Sequence, residues 1–115
     1  LLLVASGTAT LQAALIGTPM IIMYRAMWFT TWLAKQIVLV PYMGLVNLVA
    51  GRKVVPELLQ QQATVDRVSA EAERLLTHPQ VYEKMKADLR RVQQLMGLPG
   101  ASLRAAEIVI EQCKI

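Results

Sequence analysis

The stretch Val4-Ala5-Ser6-Gly7-Thr8-Ala9-Thr10 decides the fold of this chain. An apolar run from Leu1 ends at its Ser-Gly-Thr turn, and helix-forming residues follow directly as far as Ile16. The breaker Gly17-Thr18-Pro19 ends this helix, and a second apolar run extends from Met20 to Tyr24. The order of strand, turn, helix and strand predicts a βαβ unit with parallel strands, and therefore an α/β fold.

The composition fits one domain or part of one, with apolar surface that other parts of a protein would cover. The chain has 115 residues, and its hydrophobic content of 55% is high for a domain of this size. It begins at Leu1 inside an apolar run that we interpret as a central strand. Because a parallel sheet needs neighbours on its edges and faces, we expect the chain to be the C-terminal part of a longer protein.

The charges are unevenly distributed along the chain. The first 51 residues carry only Arg25 and Lys35, and all eight acidic residues lie from Glu57 onward among the other basic ones. The net charge of +4 is thus spread over mixed helices, which argues against a nucleic-acid partner. The single cysteine, Cys113, excludes an internal disulfide and fits a reducing compartment. We expect this thiol to pack in the last helix.

The uncharged front of the chain is long enough to span a bilayer. Residues 1–24 contain no charged side chain. Two clusters of Ser, Gly, Thr and Pro interrupt this run, however, and they would free backbone groups where no water can bind them. Near-continuous apolar strands joined by small-residue turns are typical of a buried parallel sheet, which is the interpretation we adopt.

Downstream of Tyr24 the sequence predicts mainly helices. Neither a helix nor a strand is predicted for the apolar run Leu45–Ala50. The predicted helices cover Met27–Val38, a segment that begins at Pro56, Val65–Leu76 with Thr64 as its cap, Gln80–Met96, and a last helix capped by Ser102 and ending near Lys114.

The turn Ser6-Gly7-Thr8 either serves only to make a tight connection between strand and helix, as in many such turns, or is a binding site. Its backbone N–H groups and the helix N-terminus converge on one point, which suits a phosphate group, and Gly7 lets the backbone approach a ligand closely. Ser6 or Thr8 is the predicted N-cap of the helix. Gln12, one turn later, is either an ordinary exposed helix residue or an amide directed at a sugar hydroxyl.

Two further polar residues stand in apolar surroundings. Arg25 follows the second predicted strand, at the sheet edge where α/β proteins bind ligands, and it needs either a structural carboxylate or an anionic ligand. Asn47 is either a satisfied core amide or a functional group. His78, between Thr77 and Pro79, is interpreted as a capping residue.

No catalytic triad and no metal site are predicted, because the one His and the one Cys lie far apart in the sequence. Trp28, Phe29 and Trp32 form an aromatic face that either belongs to the core or contacts a membrane surface.

Several stretches, taken together in their order and spacing, resemble one family. They are Ala5-Ser6-Gly7-Thr8-Ala9-Thr10-Leu11, Gly17-Thr18-Pro19-Met20, Tyr24-Arg25, Trp32-Leu33-Ala34-Lys35, Val40-Pro41-Tyr42, Asn47-Leu48-Val49-Ala50-Gly51-Arg52 and Val55-Pro56-Glu57-Leu58-Leu59-Gln60. This pattern is similar to that of the lipid-A-disaccharide synthases. The resemblance covers residues 1 to about 62 well, and it is generic in the helical tail.

The resemblance implies an inverting glycosyltransferase with two Rossmann-like lobes, the GT-B fold. Such enzymes transfer 2,3-diacylglucosamine from its UDP conjugate to 2,3-diacylglucosamine 1-phosphate, forming the lipid A disaccharide and releasing UDP. The chain then corresponds to the C-terminal lobe, which holds the donor nucleotide. Residues 1–62 would be a partial UDP-sugar-binding lobe, and residues 63–115 its C-terminal helical segment.

The resemblance also assigns roles to particular residues. Ser6, Gly7 and Thr8 would hold the pyrophosphate, and Arg25, Asn47 and Arg52 would line the active cleft. Gln12 stands where the family usually has a Glu that is expected to bind the ribose, and Val46 stands where it usually has Pro.

The expected partners of the chain are the UDP-diacylglucosamine donor, a lipid acceptor and the missing N-terminal lobe. That lobe would carry the catalytic base, so the chain alone would be inactive. No cofactor is implied, and the expected location is cytoplasmic or peripheral on the inner membrane. The alternatives are the donor lobe of another UDP-sugar GT-B enzyme, or a non-catalytic, membrane-associated helical module.

Overall fold

The computed structural model describes residues 1–5, 7–27, 32 and 41–114, which form an α/β arrangement. The described strands are β1 (Leu2–Ala5), β2 (Met20–Tyr24) and β3 (Glu57–Leu59). The described helices are α1 (Thr8–Ile16), α2 (Leu45–Ala50), α3 (Val65–Thr77), α4 (Pro79–Met96) and α5 (Ala101–Cys113), with a short 3-10 helix at Gln60–Gln62.

The three strands form a parallel sheet in the order β1-β2-β3. Val4 pairs with Ile22, and Ile22 pairs in turn with Glu57 on the other side of β2. The predicted βαβ unit is therefore confirmed. Within the described residues, however, β1 is an edge strand and not a central one, and Leu3 on it is 54% exposed.

Helix α1 has the predicted bounds but not the predicted N-cap. Its N-cap is Gly7, because Thr8 is already helical, and Ser6 lies outside the described residues. At the other end, Gly17 has a φ of 78°, and its N–H donates to the carbonyl of Ala14 at 2.9 Å. This left-handed residue ends the helix as the sequence predicts.

Helix α4 closes the hydrophobic core by packing across α1, α2 and α3. The Gln93 side chain on α4 donates to the carbonyls of Ala14 and Leu15 at 3.1 and 2.9 Å, and so satisfies the C-terminal end of α1. The buried apolar side chains are Ala13, Ala14, Met20, Ile21, Ile22, Val46, Val54, Val55, Leu75, Met85, Leu89 and Val92.

The helix predicted to begin at Pro56 is wrong, because this segment continues into β3. The carbonyl of Pro56 accepts the N–H of Ile22 at 2.9 Å, and Glu57–Leu59 then pair with β2. Proline is tolerated at the start of a strand, where its missing N–H costs no ladder hydrogen bond. The preceding apolar run forms a short helix, α2, which the sequence left unassigned.

The C-terminal helices agree with prediction in part. The Thr64 hydroxyl accepts the Arg67 N–H at 3.3 Å, which confirms the cap of α3. Ser102 is not a cap, because α5 begins at Ala101 behind Gly100, whose φ is 95°. Cys113 is exposed and not packed.

His78 lies between α3 and α4, where its Nδ1 is 3.0 Å from the carbonyl oxygen of Arg74 near the end of α3. The predicted helix Met27–Val38 falls almost wholly outside the described residues. None of the helices in the described part is long and apolar enough to cross a membrane.

Candidate functional site

The carboxyl ends of the three parallel strands meet at one edge of the sheet. The strands end at Ala5, Tyr24 and Leu59. The residues that follow them, including Gly7, Arg25 and Gln60, therefore lie along this edge, which we call the carboxyl edge. Open α/β sheets bind ligands at this edge.

The N-terminus of α1 presents free backbone donors at the carboxyl edge. No described side chain caps this helix, and the N–H groups of Thr8 and Ala9 have no acceptor among the described residues. The third N–H, from Thr10, bonds to the Gly7 carbonyl at 3.2 Å, and the Thr10 hydroxyl donates to the same oxygen at 2.7 Å. Unsatisfied N–H groups at the positive end of a helix dipole bind anions.

Gly7 keeps the space in front of this helix end open. Its φ of 136° lies in a region that side-chain-bearing residues rarely adopt, and a Cβ placed on it would meet no atom of the described neighbouring structure within 4 Å. The glycine is thus required by the backbone conformation, and it leaves room for a ligand against the N–H groups of α1.

Arg25 supplies the positive charge of the carboxyl edge. It directly follows β2 and is exposed, and no carboxylate within the described ranges forms an ion pair with it. The sequence leaves two partners open for this guanidinium, a structural carboxylate or an anionic ligand. The described part of the structure pairs no carboxylate with it. An anionic ligand at the carboxyl edge remains the partner to test.

Gln12 is exposed on α1, one turn after Thr8. Its position suits an ordinary surface residue and a ligand contact equally well, so its role stays a prediction.

Asn47 is a satisfied core amide, the first of the two alternatives that the sequence left open. The residue is fully buried. Its Nδ2 donates to the Val55 carbonyl at 2.9 Å and to Glu57 Oε1 at 2.7 Å. Its Oδ1 accepts the N–H groups of Val54 and Val55 at 2.7 and 3.0 Å. The amide holds the loop between α2 and β3 in place.

The sequence did not single out Glu57, although its buried carboxylate organises this region. Besides the Asn47 amide, it accepts the N–H groups of Met43 and Gly44, each at 3.0 Å. A Cβ on Gly44 would collide with Ile22 Cδ1 and lie 2.8 Å from Glu57 Oε1, so a larger residue there would force these two side chains to move. The sequence feature that could have identified Glu57 is an acidic residue between apolar neighbours, since Val55-Pro56 precede it and Leu58-Leu59 follow it.

Arg52 does not join the residues at the carboxyl edge. It lies in the loop that enters β3, which places it at the opposite edge of a parallel sheet. Its guanidinium forms a 2.6 Å ion pair with Asp88 on α4, where the two side chains are 48% and 14% exposed. The pair borders an open groove of about 480 Å³. In the same groove, a hydrogen bond from Arg74 to Glu71 raises the pKa of Arg74 above its usual value.

The predicted aromatic face is described only at Trp32, which is 55% exposed, since Trp28 and Phe29 lie outside the described residues. Among the residues that the structure covers, no three His, Cys, Asp or Glu side chains are close enough to hold a metal ion. That no metal is needed stays a prediction.

Comparison with known proteins identifies the family to which this chain belongs. The family model described as lipid-A-disaccharide synthetase matches residues 1–109. The chain belongs to this family. It is 45% identical over 108 residues to the lipid-A-disaccharide synthase of Anaeromyxobacter dehalogenans, covering 94% of this chain and 28% of that protein. The synthase of Geobacter sulfurreducens is 43% identical over 110 residues, covering 96% of this chain and 29% of that protein.

More divergent members of the lipid-A-disaccharide synthetase family match over the same extent. The synthase of Persephonella marina is 39% identical over 108 residues, covering 94% of this chain and 28% of that protein. The resemblance found in the sequence is thus confirmed. The chain spans less than a third of the length of these curated relatives.

We predict that Asn47→Leu destabilises a full-length enzyme containing this segment. Leucine matches the volume of the amide but leaves two buried N–H groups, a buried carbonyl and one side of the Glu57 carboxylate without a partner. The expected loss is about 3 kcal/mol or more of unfolding free energy, measured by urea denaturation. The matched control is Gln80→Leu at an exposed position, which should cost less than about 0.5 kcal/mol. Equal midpoints for both variants would contradict the structural role of Asn47.

Proposed function

We propose that this chain is the donor-binding part of the C-terminal lobe of a GT-B glycosyltransferase, a lipid-A-disaccharide synthase. The whole enzyme would transfer 2,3-diacylglucosamine from its UDP conjugate to 2,3-diacylglucosamine 1-phosphate, giving the lipid A disaccharide and UDP. The observation that carries this proposal is the N-terminus of α1 behind Gly7, which no described side chain caps, in a chain of the lipid-A-disaccharide synthetase family.

The chemistry of the reaction suits this helix end. As the glycosidic bond to UDP breaks, negative charge grows on the β-phosphate oxygens. The N–H groups of Thr8 and Ala9 and the positive end of the α1 dipole would stabilise that charge, and no reorganisation is needed at the moment of reaction. Ser6 belongs to the same proposed pyrophosphate site, and Arg25 would add a charge-assisted contact from the neighbouring strand end.

Gln12 is proposed to contact the ribose. It lies on α1 one turn beyond the pyrophosphate site, which is a suitable distance for the sugar of a nucleotide whose phosphates lie at the helix N-terminus. An amide can accept a ribose hydroxyl, but it does so without the charge assistance that a carboxylate would give.

Asn47 is proposed to act indirectly and not to touch the ligand. Its hydrogen bonds are directed at the loop before β3 and at Glu57, so it fixes β3 in its register beside β2. Arg52, to which the family resemblance assigns a place in the cleft, would instead fix the same loop from outside through Asp88.

The chain is proposed to be one part of a two-lobed enzyme. Residues 1–62 would form the partial UDP-sugar-binding lobe, and residues 63–115 would be helices of that same lobe. Exposed Leu2 and Leu3 on edge strand β1 support the presence of further sheet beside it. The catalytic base and the acceptor site are proposed to lie in the other lobe, so this chain is assigned no catalytic residue.

A peripheral position on the cytoplasmic face of the inner membrane follows from the proposed substrates, since both carry acyl chains. The exposed indole of Trp32, close in sequence to Trp28 and Phe29, supports a contact with the bilayer interface. Membership of a synthetase family and a parallel sheet favour an enzyme lobe over a non-catalytic helical module. Another UDP-sugar substrate is the remaining rival, which competition between UDP-diacylglucosamine and UDP-N-acetylglucosamine would distinguish.

We predict that Gly7→Ala in the full-length enzyme lowers kcat by about 10² or more, because the new side chain distorts the N–H groups that stabilise the leaving UDP. The matched control is Gly51→Ala, which also has a positive φ, of 67°, and open space, but lies at the end of α2. Steady-state kinetics of both variants test the assignment. A Gly7→Ala enzyme no slower than the Gly51→Ala enzyme would contradict it.

We predict that Gln12→Glu tightens UDP binding by about tenfold, because a carboxylate forms a stronger hydrogen bond to a ribose hydroxyl than an amide does. Isothermal titration of the full-length enzyme with UDP measures this change, and uridine serves as the control ligand because it keeps the ribose and lacks the phosphates. Unchanged or weaker affinity for both ligands would refute the ribose contact.

A further inference from the structure

Gln60 has a backbone conformation that is unusual for its residue type. It directly follows β3, and its φ of 53° makes it the single non-glycine residue with a positive φ in the described part of the chain. Side-chain-bearing residues adopt this left-handed region rarely, and where they do so the surrounding structure holds them there. Such residues concentrate at binding and catalytic sites, so the contacts of Gln60 are informative.

The side chain of Gln60 bridges two strand ends. Its Oε1 accepts the N–H of Ala26 at 3.2 Å, although the two residues are 34 positions apart in the sequence. The register pairs Tyr24 with Leu59, so Arg25 and Gln60 are the next residues beyond the paired strands. The Gln60 amide therefore extends the connection between β2 and β3 past the point where the backbone ladder stops.

This bridge fixes the backbone on the carboxyl side of Arg25. On the other side, Arg25 is fixed by Tyr24, which is part of the sheet. An exposed arginine with a long, flexible side chain contacts an anion more tightly when its backbone is held, because less conformational freedom is lost on binding.

We infer that Gln60 is a positioning residue, which aims Arg25 at the diphosphate of the donor nucleotide. This inference rests on the proposed function. The left-handed turn at Gln60 directs the main chain away from the sheet into the 3-10 helix, while its side chain reaches back to Ala26. A residue without an acceptor at this position would leave the Ala26 N–H and the segment behind Arg25 unattached.

Two variants of the full-length enzyme separate positioning from strain. Gln60→Met keeps the shape and the strained φ of the residue but removes the acceptor. Gln60→Gly also removes the acceptor, but it relieves the strain, so this variant should be the more stable of the two in thermal denaturation. Both should raise the KM for the UDP-sugar donor by a similar factor, about five- to tenfold, with a smaller change in kcat.

The same two variants made in an Arg25→Ala enzyme test whether Gln60 acts through Arg25. In that background, neither variant should change the donor KM further, because the group that it positions is gone. The inference would be overturned if the donor KM of the two variants changed in parallel with their thermal stability. It would also be overturned if each variant raised the donor KM by the same factor in the Arg25→Ala enzyme as in the wild-type enzyme. Wild-type enzyme that fails to bind UDP would instead overturn the proposed function, and this inference with it.

Discussion

The rest of the structure depends on the buried carboxylate of Glu57. This group accepts two backbone N–H groups at the start of α2 and the amide of Asn47, and so joins β3 to α2 through hydrogen bonds. A buried carboxylate is costly unless donors surround it, which makes the arrangement specific for this geometry. Glu57 lies opposite Ile22 in the register of β3 and β2, so the contacts that hold this carboxylate favour that register. That register brings Gln60 next to Arg25, from where the Gln60 side chain accepts the N–H of Ala26.

The two edges of the sheet have different physical characters. At the carboxyl edge, two N–H groups of α1 without an acceptor in the described structure lie behind Gly7, and an exposed arginine follows the next strand, so an anion would be favoured there. At the opposite edge, Arg52 is already paired with Asp88, and the C-terminal carbonyls of α1 are satisfied by Gln93. The carboxyl edge is therefore where we propose that the diphosphate binds, while the opposite edge connects the helical segment to the sheet.

The sequence predicted best where a local signal sets the structure. The small-residue turn, Gly17 and Pro19 define α1 and β2 to the residue, and the Thr64 cap defines the start of α3. It failed where a distant partner decides. The local pattern predicts a helix from Pro56, but Glu57–Leu59 pair with β2, which lies more than 30 residues earlier in the chain. No local pattern identifies that partner. The choice between the two roles of Asn47, and the bridge from Gln60 to Ala26, likewise depend on contacts between segments that no local pattern reveals.

We propose that the N-terminus of α1 holds the diphosphate of a UDP-sugar, and amide hydrogen exchange of the full-length enzyme is the most direct test. The amides of Thr8 and Ala9 have no acceptor within the described chain, so bound UDP should slow their exchange at least about tenfold. The amides of Val54 and Val55, already bonded to Asn47, should not change. Saturation with UDP that leaves exchange at Thr8 and Ala9 unaltered would contradict the account.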